Sequence, residues 1–409
     1  MSKLFESNWD TAKAALLEGK DLTRNFDGSY NDNKKRVMNA VLENVRKDIA
    51  ARSAPLMENA TAGATSSGNV AVLNQVILPI IRRVMPTIIA NEIVGVQPIS
   101  GPVAQISTLR VRYADSVGGV NGVTAGAEAL SPFDIARYYS GNENPANPGA
   151  ATTSVLEGRP GNRLNVELVR QTVEAKTRRL SSRWTFEAAQ DMQSQYGVDL
   201  EAEVMNAVAT EITTEIDQEI LGVLRALPGT PAAVYDQANV SGTATFVGDE
   251  FAALAILINR QSNLIASRTK RGPANWAVVS NTALTILQAA TTSAFARTTV
   301  GTFEAPTNVK YAGMLNNSLR VYVDTYASDS TPVLVGYKGQ GETDAAAYFC
   351  PYVPLTSTGV VIDPQTLEPL LGFMSRNAIL TFTNSASSFG NSADYLGLIG
   401  IDASTLKFL

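Results

Sequence analysis

Between residues 199 and 227 the apolar positions recur every fourth residue. Val204, Val208, Ile212, Ile216, Ile220 and Leu224 form a stripe that Met205, Ala209, Val223 and Leu227 widen. That period places them on one face of a helix. Asp199 is suited to cap its start, because a carboxylate accepts from first-turn amides, and Glu201 and Glu203 then sit at the positive end of the dipole. Pro228 stops the helix and Gly197 ends a shorter one before it. At 1.5 Å per residue the segment makes a rod about 43 Å long, enough to cross a whole domain. We read it as a spine.

A second helical stripe lies near the start of the chain. Val37, Val41, Val45 and Ile49, with Met38 and Leu42, run among Lys34, Lys35, Arg36, Arg46, Lys47 and Arg52. This amphipathic arm needs a partner for its apolar face. Small polar residues 59–70 follow and read as a connector. Periodicity then fades over 111–165, where GGVNG, GNENPANPG and EGRPGN mark a long projecting loop. The flanking ISTLRVRY and NRLNVELV read as the two strands of a ribbon. After Pro228 the pattern alternates: a helix over 251–266, a buried strand NWAVVS, a helix NTALTILQAA, and strands in LRVYVDTYA, PVLVGYK and AAAYFC. This predicts a compact α/β unit, and GFMSRNAILTFT predicts a strand returning to the first unit.

Composition narrows the classes. A chain of 409 residues, 45% hydrophobic, can bury a large core, and no apolar run is long enough to span a bilayer. The first residues, MSKLFESNWDTAKAALL, lack the apolar core of a signal peptide. Cys350 is the only cysteine, so no disulfide forms within one chain. A net charge of −5 opposes condensation of nucleic acid by broad phosphate neutralisation.

Candidate chemistry is thin. Ser267 and Lys270 have Ser-x-x-Lys spacing, but its companion motifs are missing, and SRTKRGP is more simply the basic end of a helix. GYKGQG at 336–341 lacks the spacing of a phosphate loop and reads as a turn. With no histidine and one cysteine, a histidine triad is impossible and a zinc site would need carboxylates alone. No cofactor is implied. Glu211, Glu215 and Glu219 are the sharper signal, because acids spaced by four repel on an isolated helix and call for a basic partner, the alternative being a solvated acidic face. Arg178, Arg179, Arg183 and the basic arm are the candidates, in the same chain or the next. A partly buried pair predicts a cost on the order of 3 kcal/mol for Glu215→Lys.

Three blocks carry a resemblance: LNQVILPIIRRVMPTIIANEIVGVQPISGP at 73–102, the EAAQD and EAE words leading into the spine, and VGYKGQGETDAAAYFCPYVPL at 335–355. In this order they resemble the major capsid protein of T-even-like contractile-tailed bacteriophages, a family with the HK97-type fold. The T-even pattern carries a large inserted domain after the first block, and residues 111–165 leave room for little more than the loop. The resemblance implies an α+β fold divided into an arm and connector (1–70), a peripheral domain (71–110 and 166–227, with the spine), an extended loop (111–165), an axial domain (228–370) and a C-terminal return to the peripheral domain (371–409). It implies a non-enzymatic virion protein, made in the bacterial cytoplasm, that assembles with itself into hexamers and pentamers around double-stranded DNA. Vertex, portal, scaffold and decoration proteins are its implied partners, and a paralogous vertex protein restricted to pentamers is the alternative reading. On it, Val37, Val41, Val45, Ile49, Arg178, Arg179, Arg183, Glu211, Glu215 and Glu219 are candidate contacts between subunits. Leu56-Met57-Glu58 resembles a maturation cleavage site with the cut after Glu58. A cytoplasmic α/β enzyme and an internal scaffold or cargo protein are the readings from other classes.

The founding member of that fold is cross-linked through a lysine of its extended loop, and residues 111–170 contain no lysine. Boiled, reduced particles are therefore expected to run as monomers on a denaturing gel, and a ladder of multimers would overturn the expectation.

Overall fold

The structure, a computed structural model, describes residues 35–44, 47, 88–118, 122–127, 129, 139–141, 150–158, 161–197, 199–238, 247–290, 295–297, 310–339, 344–363, 365–366, 368–382 and 391–406. The arm contributes a helix over 35–44. A short strand β1 (Gly95–Val96) precedes β2 (Val103–Tyr113), which pairs antiparallel with β3 (Leu164–Glu174) over eleven positions, from Val103 opposite Glu174 to Tyr113 opposite Leu164. These are the two strands expected around the loop. After Ala175 the chain continues as β4 (Lys176–Arg183), then a helix Phe186–Tyr196 and the spine Leu200–Ala226. The local chemistry between the helices is as expected. Gly197 takes a left-handed φ of 66° and its N–H reaches Gln193 O, while the Asp199 carboxylate accepts from Glu201 N at 3.1 Å.

Beyond the spine come β5 (Ala233–Tyr235), a helix Val247–Thr269, β6 (Trp276–Ser280), a helix Asn281–Ala289, β7 (Phe295–Arg297), β8 (Lys310–Leu315), β9 (Leu319–Asp324) and β10 (Val333–Gly336). The chain closes with β11 (Ala347–Ile362), β12 (Pro369–Thr381) and β13 (Leu396–Ile401). Two larger sheets result. One has the order β1-β11-β12-β4, the other β5-β13-β10-β6-β9-β8-β7. This sorting differs from the expected division at two places. β11 falls within 228–370 but pairs with β12 and β1, and the segment 371–409 splits, with β12 in the first sheet and β13 between β5 and β10 in the second. Alternation fixes which residues of a strand share a face and carries no information about which distant strand it will join.

The spine lies in a core that both sheets share. Ile212, Ile216, Ile220, Leu221 and Leu224 are at most 2% exposed and pack with Trp276, Val278, Tyr322 and Leu334 of one sheet and Phe349, Leu355, Leu371 and Phe373 of the other. Each such side chain contributes roughly 2 kcal/mol of transfer free energy. The seven-stranded sheet is buried on its second face as well. Ala277, Val279, Val333 and Val335 meet Leu254, Ile258, Ile265, Ala283 and Ile286 of the two helices there. Burial on both faces is why NWAVVS reads as an unbroken apolar run. The mixed architecture of arm, ribbon, spine and two sheets is the α+β arrangement that the HK97-type resemblance implies.

The arm departs from expectation. Val37, Met38, Val41 and Leu42 are buried in the shared core of their own chain, and Asn44 donates to Ile99 O at 2.9 Å and Tyr352 O at 3.2 Å. The stripe does find cover, but it does so in cis, because the shared core offers an apolar seat. Val45, Ile49, the connector 59–70 and Glu58 lie outside the described residues. Val41 is 0% exposed, so Val41→Asp is expected to destabilise the body itself by about 3 kcal/mol or more. The check is a lowered melting temperature of the unassembled chain; an unchanged melting curve would mean that the arm lies off the body.

Candidate assembly surfaces

The acidic stripe meets a single arginine. Strand alternation and pairing of β4 with β12 turn Arg178 toward the spine, where it bonds Glu215 at 2.7 Å and also reaches Glu219. The Arg178 side chain is 18% exposed, against 37% for Glu219 and 61% for Glu215. Two carboxylates one turn apart are thus bridged by one guanidinium, which removes their mutual repulsion. The other candidates are elsewhere. Arg179 is exposed on the opposite face of β4, and Arg183 faces Asp363 at 3.8 Å and Glu368 at 3.5 Å at the β11–β12 turn. Glu211 is exposed and makes no ion pair among the described residues.

A polar site on the spine was not anticipated. Asp217 and Asp324 are both 0% exposed. The Asp217 carboxylate accepts Ile89 N–H at 3.0 Å, which fastens the segment 88–93 to the spine. Asp324, at the end of β9, accepts from Gln218 at 2.8 Å, Arg225 at 2.9 Å and Tyr326 N at 3.1 Å, which fastens the seven-stranded sheet to it. Glu92 adds a tie, taking Arg320 at 3.2 Å and the Tyr322 hydroxyl at 3.4 Å. Burial pushes the Asp217 carboxyl from 3.8 up to about 8, with the Asp324 charge adding and the Ile89 N–H opposing. The sequence held a signal for this: Asp217 sits between Ile216 and Ile220, inside the apolar stripe.

The ribbon supplies a bare apolar surface. Leu164, Val166 and Leu168 alternate onto one face of β3 and are 52%, 64% and 51% exposed, and Val103, opposite Glu174, is 60% exposed on the same face. The other face is docked at its root, where Val173 joins Ala175, Tyr348, Cys350, Ala378 and Leu380, and Gln171 donates to Thr381 O at 3.3 Å. At its tip Tyr113, Val117, Ala129 and Tyr139 make a small cluster of their own, with the two rings 4.5 Å apart. Asp115 and Arg163 close the loop base at 3.1 Å, which holds the Asp115 carboxyl below the usual range. A loop with its own core keeps its shape away from the body.

The weak chemical candidates find structural roles. Lys270 caps its helix in a left-handed conformation, φ 53°, with its N–H on Ala266 O. Lys338 of the glycine-rich turn is held by Asn275 Oδ1 at its N–H and gives its ammonium to Asn91 O at 2.6 Å. The Cys350 thiol is buried and pushed up to about 11.

Comparison with known proteins agrees with the resemblance. The family model described as Major capsid protein Gp23 matches residues 70–401. The major capsid protein of Enterobacteria phage T4 is 28% identical over 411 residues, covering 78% of this chain and 77% of the relative. That of Vibrio phage KVP40 is 27% identical over 486 residues, covering 95% and 92%. The second alignment is longer than this chain, so the relative carries residues inside the matched span that are missing here. A solved capsid of Myoviridae phage XM1 superposes with a TM-score of 0.44 at 12% identity, over 76% of this chain and 90% of that one. The reading as a vertex-only protein finds no support in these matches, which are to major subunits.

Two outcomes follow from the spine's charges. Because Glu215 is 61% exposed, Glu215→Lys is expected to cost about 1 kcal/mol, not the 3 kcal/mol of a buried pair; chemical denaturation at low salt measures it. Asp217 keeps a proton in the folded state that the unfolded chain releases. Its contribution to stability is therefore full below pH 3.8, falls as pH rises, and levels off above about 8. Asp217→Asn keeps an oxygen for Ile89 N–H, so its melting temperature should fall less than the parent's between pH 5 and 8; parallel profiles would refute the assignment.

Proposed function

This chain belongs to the Gp23 family of major capsid proteins, whose members form the head shell from many copies, and on that premise we propose that its own surfaces do this work by association alone, with the ribbon as the principal contact between copies. The observation that carries this reading is the ribbon's bare apolar face: eleven paired positions project from the body with Leu164, Val166 and Leu168 open to solvent. A monomer gains nothing from such a surface, whereas a neighbour that covers it gains roughly 25 cal/mol for each Å² removed from water. Summed over a closed lattice, contacts of this size stabilise a shell that no single one could hold.

In the same reading the unit around the seven-stranded sheet is the axial domain, meeting its copies around symmetry axes. The four-stranded sheet with the spine is the peripheral domain. Hexamers and pentamers of these enclose double-stranded DNA behind a wall that repels it weakly, given the net charge of −5. Vertex, portal, scaffold or decoration proteins bind this lattice, and cleavage after Glu58 in its maturation severs the arm's chain while Val37, Met38, Val41 and Leu42 stay seated in the core. Arg178 works within its chain, so that of the charges first expected to meet a neighbour Arg179 and Glu211 stay exposed.

The double substitution Val166→Asp with Leu168→Asp tests the ribbon. Both side chains are exposed, so the isolated chain should melt within a degree or two of the parent, while electron microscopy shows few closed particles. Normal particle numbers would reject the ribbon as a contact.

A further inference from the structure

The ribbon's bare face has a definite orientation. Lys176 pairs with Asn377 and Arg178 with Ser375, on the side of the sheet that packs on the spine. Val173 and Ala175 lie on the other side, with Ala378 and Leu380. Since β3 runs through Ala175 into β4, alternation puts Glu174, Arg170, Leu168, Val166 and Leu164 on the spine side. The ribbon thus extends the sheet beyond the helix layer of its own chain. What covers it has to extend that helix layer.

One helix in that layer lacks cover among the described residues. Phe186–Tyr196 has no buried residue among its eleven; Phe186 is 51% and Tyr196 71% exposed, on a face that includes Ala189 and Gln193. Thr185 caps its start, yet a helix of this length is marginal in water without packing. Its charge is also one-sided. From Trp184 to Leu224 the sequence holds nine acids and no lysine or arginine, and Glu187 and Asp191 are exposed on this helix. The spine-side face of the ribbon carries exposed Arg170 and leads to exposed Lys176, with one exposed acid, Glu174, between them.

We propose that the Phe186–Tyr196 helix of a second copy of this chain covers the ribbon's spine-side face, its Phe186 and Tyr196 against Leu164, Val166 and Leu168, and its Glu187 and Asp191 toward Arg170 and Lys176. This rests on the ribbon being a contact between copies and names the seat on the neighbour. Two apolar surfaces, each without a partner among the described residues of one chain, cover each other, and opposite charges at their margins set the register. The contact is head-to-tail, since the two patches differ, so it propagates around a ring.

Co-assembly of Val166→Cys chains with Phe186→Cys or Tyr196→Cys chains tests the proximity, because the native Cys350 is buried. Oxidised mixed particles should give a cross-linked dimer on a non-reducing gel, and particles of any one variant only monomers. Mixed particles that form normally but yield no dimer with either helix variant overturn the pairing, while leaving the ribbon as a contact. A second measurement covers failure to assemble: Arg170→Glu should lower particle yield on the order of tenfold, and Glu187→Lys with Asp191→Lys in the same chain should restore it. No recovery overturns the pairing. If Val166→Asp with Leu168→Asp assembles normally, the ribbon reading itself has failed, and the pairing falls with it.

Discussion

The burial of one long helix between two sheets is the constraint on which the rest of the fold depends. The spine has to hide a stripe that includes Ile212, Ile216, Ile220 and Leu224, and no single sheet of this chain covers it. Strands from both sheets do so together, and the arm helix and the segment 88–96 fill the remaining flank. A core shared in this way couples what would otherwise be two domains. Movement of one sheet against the other opens the spine to water, at a cost of roughly 2 kcal/mol for each large side chain uncovered.

Polar groups then fix the register of that packing. Apolar contact is nondirectional, so it sets which face is buried but not the position along the rod. Asp324 held by Gln218 and Arg225, Asp217 holding Ile89 N–H, and Glu92 on Arg320 specify position, since a slip would leave a buried charge or a buried hydrogen-bonding group without its partner. Arg178 does the same on the outer side of the spine, between Glu215 and Glu219. The result is a stiff body from which the ribbon projects, and a stiff body is what a lattice of many modest contacts requires.

Surface and body therefore divide the work. Catalytic residues converge inside a pocket, whereas the surfaces proposed to act here lie on opposite flanks of one molecule and meet only when copies meet. The exposed apolar residues of the ribbon and of the helix Phe186–Tyr196 are, among the described residues, two places where the isolated chain is incompletely packed.

Much of the local chemistry was legible in the sequence. The spine, its Asp199 cap, the Gly197 stop and the ribbon strands follow from periodicity and from residues that act within a turn of themselves, and three word blocks were enough to place the family. Arg178 could be named among the partners of the acidic stripe, because like charges at fixed helical spacing demand an answer, though not chosen over Arg179 and Arg183. Other features were decided by tertiary structure alone. The arm's seat in its own chain's core, the crossing of β13 into the second sheet, and the meeting of Asp217 and Asp324 near the spine each depend on contacts between residues tens to hundreds of positions apart. A stripe states that a face must be covered; what covers it depends on which distant segment the closed fold brings there, and no local pattern encodes that.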